Sequence, residues 1–187
     1  MDHSINIYKN VISPELCDDL ISFHQKYKDT PVVQKTTYSS IENTNCYTFS
    51  TTNFPEYDTK IYDVMKGIVE RLRLDHEYFP YDIHDSGYEL RESYGSTMIH
   101  SDSLYDVNNP SVARLLSVII ALTDDYDGGI FNFPKQSYQV KLKRGEAITF
   151  PPTPFYPHEV SSPENGKRYT ICTWILVDRP KYNEVLE

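Results

Sequence analysis

From about residue 86 onward the chain alternates short apolar runs with turn residues. "SGYELRESY", "ARLLSVIIALT", "GIFNFP", "SYQVKLK", "EAITFP", "YPHEVSS" and "KRYTICTWILV" are rich in β-branched and aromatic residues, the composition of strands. "DDYDGG", "KRGE" and "PENGK" supply the turns between them. "LLSVIIAL" is apolar almost without interruption, which predicts a strand buried on both faces. Ahead of residue 86 the period changes. Apolar residues at 5, 7, 11 and 12 predict a short strand. "SPELCDDLISFHQKYK" then predicts a helix: Ser13 caps it, Pro14 suits the first helical position, and Glu15 favours the positive end of the dipole. Leu16, Leu20, Phe23 and Tyr27 share its apolar face, with His24 expected to be partly exposed. A second helix is predicted near 56–74, with Ile61, Val64, Met65, Ile68 and Leu72 as its stripe. Helices followed by seven or so strands predict a mainly β fold: an antiparallel sandwich or barrel with the N-terminal helices packed on one side.

The length of 187 residues suits one domain. Residues 1–85 would form its mixed helical support and 86–178 its β core. The formal net charge of −9 repels phosphate backbones, so nucleic acid is a poor expected partner. Cys17, Cys46 and Cys172 are odd in number and contain no C-x-x-C pair, which fits neither a disulfide framework nor a thiolate zinc site. They predict a reducing, cytoplasmic setting. "MDHSINIYKN" has no apolar signal core, and the longest apolar run is too short to span a bilayer, so no membrane partner is expected.

Candidate chemistry concentrates in "YGSTMIHSDS". His100 and Asp102 stand at i and i+2, on one face of an extended segment. A third imidazole, His158, follows in "FYPHEVSS". Two imidazoles and one carboxylate leave up to three octahedral positions open, which suits Fe(II) that must bind a chelating cosubstrate and dioxygen. A structural zinc site would use four ligands, and the chain offers no obvious fourth. The plainer alternative for His100 and Asp102 is a polar loop.

On a strand, Arg168 and Thr170 share a face with Cys172 and Trp174. A guanidinium beside a hydroxyl in an apolar wall makes a carboxylate receptor. The alternative for Arg168 is a salt bridge at the hairpin. Asp82 and His84 form a rival pair without a matched downstream element, and a polar loop is the better reading. His76 falls in an expected turn, and His3 in the N-terminal stretch. Cys172 facing His158 lacks an orienting Asn or Asp and reads as an inert buried thiol. "TDDYDGG" is far shorter than an EF-hand loop and reads as a solvated turn. "DSLYDVNNPSV" has the length of a substrate lid or of a simple surface connection.

These residues resemble the iron- and 2-oxoglutarate-dependent dioxygenases, in their prolyl 4-hydroxylase-like branch. The resemblance is carried by "HSD" at 100–102, His158 and "GKRYTICTWI" at 166–175, and it is best over 86–177. "DDYDGGIFNFP" and "INIYKNVISPELCDDLI" are similar to the branch's acidic turn and its lead-in strand and helix. The resemblance implies a double-stranded β-helix, or jelly-roll, core. It implies His100, Asp102 and His158 as Fe(II) ligands and catalytic centre, and Arg168 as partner of the distal carboxylate of 2-oxoglutarate with Thr170 assisting. It also implies a cosubstrate-contacting tyrosine shortly before the H-x-D, for which Tyr94 and Tyr88 compete and Tyr94 is carried. Ascorbate is the implied reductant. The implied reaction hydroxylates an unactivated carbon, with peptidyl proline first among substrates. Many prolyl hydroxylases have Lys where this chain has Arg168, which leaves room for a free amino acid or other small molecule. An oxidative nucleic-acid demethylase and a non-catalytic jelly-roll binding module are the other readings.

Overall fold

In the computed structural model, residues 4–28, 34–37, 45–103 and 112–178 are described, residues 34–37 and 45–50 by their backbone alone. The strands are β1 (Asn6–Tyr8), β2 (Gln34–Thr37), β3 (Asn45–Ser50), β4 (His84–Asp85), β5 (Glu89–Ser93), β6 (Thr97–His100) and β7 (Val112–Ala121). They continue with β8 (Asp127–Gly128), β9 (Phe131–Phe133), β10 (Tyr138–Val140), β11 (Ala147–Phe150), β12 (His158–Val160), β13 (Pro163–Glu164) and β14 (Arg168–Asp178). Helix α1 spans Pro14–Tyr27 and α2 spans Pro55–Asp75.

Both helices begin where the sequence predicts. The Ser13 hydroxyl accepts a hydrogen bond from the Leu16 amide at 3.2 Å, which satisfies one of the orphan donors at the start of α1. Helix α2 starts at Pro55 and buries Ile61, Met65, Ile68 and Leu72, a stripe at helical spacing. Gly67 lies on its outer side, where an added Cβ would meet nothing within 4 Å. His24 departs from expectation. It is completely buried, with its ring edge-on to Tyr169 at 5.5 Å. Among the described residues, no helix is long and apolar enough to cross a membrane.

The larger sheet runs β1-β11-β7-β14-β5-β3-β2, with β4 also pairing to β14. The smaller sheet runs β10-β9-β12-β6, and β13-β8 forms a separate ribbon. This is the jelly roll expected from the sequence. Strands β2, β3 and β4, which the apolar pattern did not reveal, extend the larger sheet. One core lies between that sheet and the helices, where Val118 and Ile120 of β7 and Tyr169 and Ile171 of β14 meet Leu20, Phe23, Ile61 and Ile68. The other lies between the sheets, where Ile119, Phe150, Cys172 and Trp174 meet Phe131, Phe133 and Val160. "LLSVIIAL" is apolar at every position but Ser117 because β7 serves both cores.

Strand β5 shows the same alternation, with Leu90 and Glu92 buried and their neighbours half-exposed. Glu92 is a fully buried acid. Lys28 and Lys167 each place an ammonium 3.1 Å from one of its oxygens, and His24 Nδ1 lies 3.9 Å away. Burial pushes the Glu92 carboxyl up, but hydrogen bonds from Tyr94, Lys167, Lys28 and Tyr169 outweigh it and hold the group below the usual carboxylate range. A lowered folded pKa means that the network's stabilisation is complete above the unfolded value of about 4.3 and is lost as pH falls through the folded one. Glu92→Gln is therefore expected to cost about 1.5–3 kcal/mol at pH 7, the range for hydrogen bonds to charged groups. Urea denaturation at pH 7 and pH 3 checks this, with the gap between wild type and variant narrowing at the lower pH.

Candidate active site

Strands β6 and β12 pair antiparallel with His100 directly opposite His158. That register brings the imidazole rings to a centroid distance of 4.4 Å. Asp102 follows two residues after His100, so its side chain returns to the same face. Its Oδ1 lies 3.4 Å from His100 Nε2 and 4.0 Å from His158 Nε2. One ligand atom from each of the three lies within 4.8 Å of the others, the arrangement a single metal ion requires. Among the described residues, no other group of three His, Cys, Asp or Glu side chains converges in this way.

The backbone sets the tautomers. His100 Nδ1 lies 2.7 Å from the Met98 carbonyl, and His158 Nδ1 lies 3.2 Å from the Tyr156 carbonyl. A carbonyl only accepts, so each Nδ1 carries a proton, and each Nε2 is the nitrogen that faces Asp102. Asp102 is oriented from the other sheet, where the Ser117 hydroxyl donates to its Oδ2 at 2.6 Å. Burial raises the Asp102 carboxyl, but the His100 hydrogen bond, the charge of His158 and the Ser117 hydrogen bond more than reverse this and keep it ionised. The two imidazoles diverge. The hydrogen bond to Asp102 raises His100, whereas burial lowers His158.

The wall facing this group is β14, whose alternation points Arg168, Thr170, Cys172 and Trp174 into one pocket with His100, Asp102 and His158. Arg168 is only 7% exposed. Its Nη1 donates to Ser93 Oγ at 3.3 Å, and its guanidinium lies 5.3 Å from the Phe131 ring centroid. Ile119, Phe131 and Val160 line the same pocket, so the guanidinium is set among apolar groups.

A family model, the 2OG-Fe(II) oxygenase superfamily, matches residues 88–176, which contain all of these side chains. Over that span, just under half of its length, the chain is similar to this superfamily. A PKHD-type hydroxylase of Synechococcus sp. (strain CC9311) is 30% identical over 128 residues, which cover 64% of this chain. The match spans 56% of that relative's length. Among solved structures, the viral collagen prolyl hydroxylase of Paramecium Bursaria Chlorella virus-1 in its 2OG complex superposes with a TM-score of 0.71 at 18% identity. That superposition covers 93% of this chain and 96% of the viral one. A Pseudomonas putida prolyl-4-hydroxylase gives a TM-score of 0.66 at 16% identity, over 96% and 95% of the two chains. At these identities the likeness is one of fold, and the fold is the one the oxygenase resemblance implies.

Neither of the tyrosines that compete for a place before the H-x-D, Tyr94 and Tyr88, lines the pocket of His100, Asp102 and His158. Ser93 faces the pocket, so the next residue, Tyr94, turns to the opposite side, where its hydroxyl meets Lys28 and Glu92. Tyr88 is buried against the helices and donates to Asp85 Oδ2 at 2.6 Å. The "DDYDGG" turn is not simply solvated, because Tyr126 within it is buried and Asp127–Gly128 pairs with β13. His84 belongs to β4 rather than to a loop, and Asp85 holds the following turn through the Gly87 amide at 2.9 Å. His76 Nε2 sits 3.3 Å from Asn6 Nδ2, far from the metal-type cluster in sequence and outside it in space. His3, and residues 104–111 of the expected lid, lie outside the described residues.

Several pocket residues escaped the sequence reading. Arg91 lines the pocket and pairs with Glu89. Thr97 Oγ1 accepts from the Val160 amide at 2.9 Å and ties β6 to β12 beside their register shift. The period-two pattern of "YELRES" already puts Arg91 and Ser93 on one face, and that was the available signal. Cys172 behaves as expected of an inert thiol: it is buried, and burial pushes it up to about 12. Iodoacetamide at pH 8 is expected to leave Cys172 unmodified in the folded protein and to label it in urea, as read by peptide mass spectrometry.

Proposed function

We propose that this chain is an Fe(II)- and 2-oxoglutarate-dependent dioxygenase that hydroxylates an unactivated carbon of peptidyl proline, with residues 1–187 acting as one domain. The observation that carries the proposal is one pocket shared by His100, Asp102, His158 and Arg168. The donor set fits a ferrous ion, because two neutral imidazoles and one carboxylate satisfy it while leaving positions for other ligands. His100, Asp102 and His158 would hold the ion through Nε2, a carboxylate oxygen and Nε2. When bound, the iron and its cosubstrate supply C–H oxidation by dioxygen, coupled to conversion of 2-oxoglutarate to succinate and carbon dioxide.

The chain's own residues do the rest. Arg168 receives the distal carboxylate of the keto acid, where low exposure strengthens a charge-assisted pair. Thr170, on the same face of β14, adds a hydroxyl to that receptor. Ile119, Phe131 and Val160 exclude water from the cosubstrate's methylenes. The Met98 and Tyr156 carbonyls and the Ser117 hydroxyl hold the ligands in the state that binds metal. The peptidyl substrate rests on likeness to proteins described as prolyl hydroxylases, one of them a Trichoplax adhaerens structure with a hypoxia inducible factor peptide, at a TM-score of 0.69 and 16% identity over 93% of this chain and 84% of that one. The net charge of −9 opposes a nucleic-acid substrate. A reducing, cytoplasmic setting suits Cys17 and Cys172, both free thiols.

Succinate release from 2-oxoglutarate, with added Fe(II) and ascorbate, tests this directly. Proline-containing peptides are expected to stimulate release more than free amino acids or methylated oligonucleotides do. His100→Ala is expected to abolish release. Absence of iron-dependent succinate with every substrate would favour a binding module instead. Ser117→Ala is expected to weaken Mn(II) binding about 10-fold, as loss of an outer-shell partner does, measured by calorimetry.

A further inference from the structure

Arg168 meets a third side chain besides Ser93 and Phe131. Tyr126, in the turn between β7 and β8, is 5% exposed. A Cβ built on Gly129 would come within 2.4 Å of Tyr126 Cε2, 3.2 Å of its Cζ and 3.3 Å of Arg168 Cδ. The phenol and the arginine stem therefore pack together over the bare Cα of Gly129, whose φ of +62° also favours glycine. On the other side, a Cβ on Gly166 would fall 2.9 Å from Tyr126 Cβ and 2.4 Å from the Asp125 carbonyl oxygen. Two glycines from separate turns thus clamp one tyrosine. Lys141 closes a third side, its ammonium 4.6 Å from the ring centroid and hydrogen-bonded to the Tyr126 carbonyl. Burial raises the phenol's pKa, and the nearby charge and hydrogen bond of Arg168 only partly oppose this, so the hydroxyl stays neutral and accepts from the guanidinium.

An arginine has about 2 kcal/mol of rotamer entropy to lose, and a receptor gains by having that ordering done before its ligand arrives. Ser93 and Phe131 restrain the guanidinium, and Tyr126 reaches both its stem and its head. We propose that Tyr126 is a positioning residue: clamped between Gly129 and Gly166, it holds Arg168 in the orientation that receives the distal carboxylate of 2-oxoglutarate. This rests on the cosubstrate reading above. Tyr126 acts through Arg168 and does not itself line the pocket. It takes a place different from the one the sequence suggested for Tyr94.

The test is calorimetric binding of 2-oxoglutarate to the Mn(II)-loaded full chain, with pyruvate as a probe that lacks the distal carboxylate. Tyr126→Phe is expected to weaken 2-oxoglutarate about 5- to 10-fold, the loss of part of the ordering done before the ligand arrives. Pyruvate and Mn(II) affinities should stay unchanged. Gly129→Ala, which drives a methyl into both side chains, should weaken 2-oxoglutarate further with the same selectivity. Equal loss for 2-oxoglutarate and pyruvate, or wild-type 2-oxoglutarate affinity in Tyr126→Phe, overturns the proposal. Arg168→Met separates the two levels. If it leaves 2-oxoglutarate binding intact, the receptor reading falls and the proposal with it. If it abolishes binding while Tyr126→Phe keeps wild-type 2-oxoglutarate affinity, the positioning role alone is wrong.

Discussion

The register of β14 between β5 and β7 is the constraint on which the rest of the molecule depends. Residues 170–178 pair with β7, and residues 168–172 pair at the same time with β5. Every side chain over that span is therefore committed to one face. Tyr169, Ile171 and Ile175 go to the helices, while Cys172 and Trp174 go between the sheets beside Arg168 and Thr170. A slip of one residue would exchange the two sets, burying a guanidinium under the helices and turning Tyr169 into the pocket. Burial on both faces makes such a slip costly. One strand thus fixes at once the packing of the helices and the polar groups of the site.

The site itself joins both sheets. Its imidazoles come from adjacent strands of the smaller sheet, whereas the hydroxyl that orients Asp102 comes from β7 of the larger one. Arg114 adds a second tie, donating to the Asp102 carbonyl at 2.9 Å while its guanidinium lies 3.6 Å from the Trp174 ring centroid. The geometry of His100, Asp102 and His158 therefore depends on the spacing between sheets, which the apolar cluster of Phe131, Phe133, Phe150 and Trp174 sets. Packing and site chemistry are one structural problem here.

The electrostatics separate global from local character. The chain as a whole is acidic, yet the faces toward the pocket carry Arg91 and Arg168, with Arg114 beside Trp174. On the far side of β5 the polarity inverts, and the buried acid Glu92 is held by Lys28 and Lys167. Adjacent residues of one strand thus serve opposite fields. Net charge speaks to long-range repulsion of polyanions, whereas what the pocket attracts follows from which residues the pleat turns inward.

By itself the sequence determined whatever depends on local pattern. It determined the cap of α1, the apolar stripes of α1 and α2, the strand character of 86–178, and the facing of Arg168, Thr170, Cys172 and Trp174 along one side of β14. It also carried the H-x-D and the later His158, whose convergence the fold realises. Only tertiary structure decided what lies across the chain from what. The Arg168–Ser93 hydrogen bond links residues 75 apart, and the Glu92 network draws on Lys28 and Lys167 from distant segments. His24 looked half-exposed because helix periodicity does not register a buried acid on a strand still to come. Tyr94 is expected in the pocket because the resemblance implies a tyrosine shortly before the H-x-D, yet its hydroxyl meets Lys28 and Glu92 instead. Ser117 and Tyr126 were invisible as site residues. Local sequence fixes which way a side chain can point along its own element, and long-range pairing alone decides what it meets there.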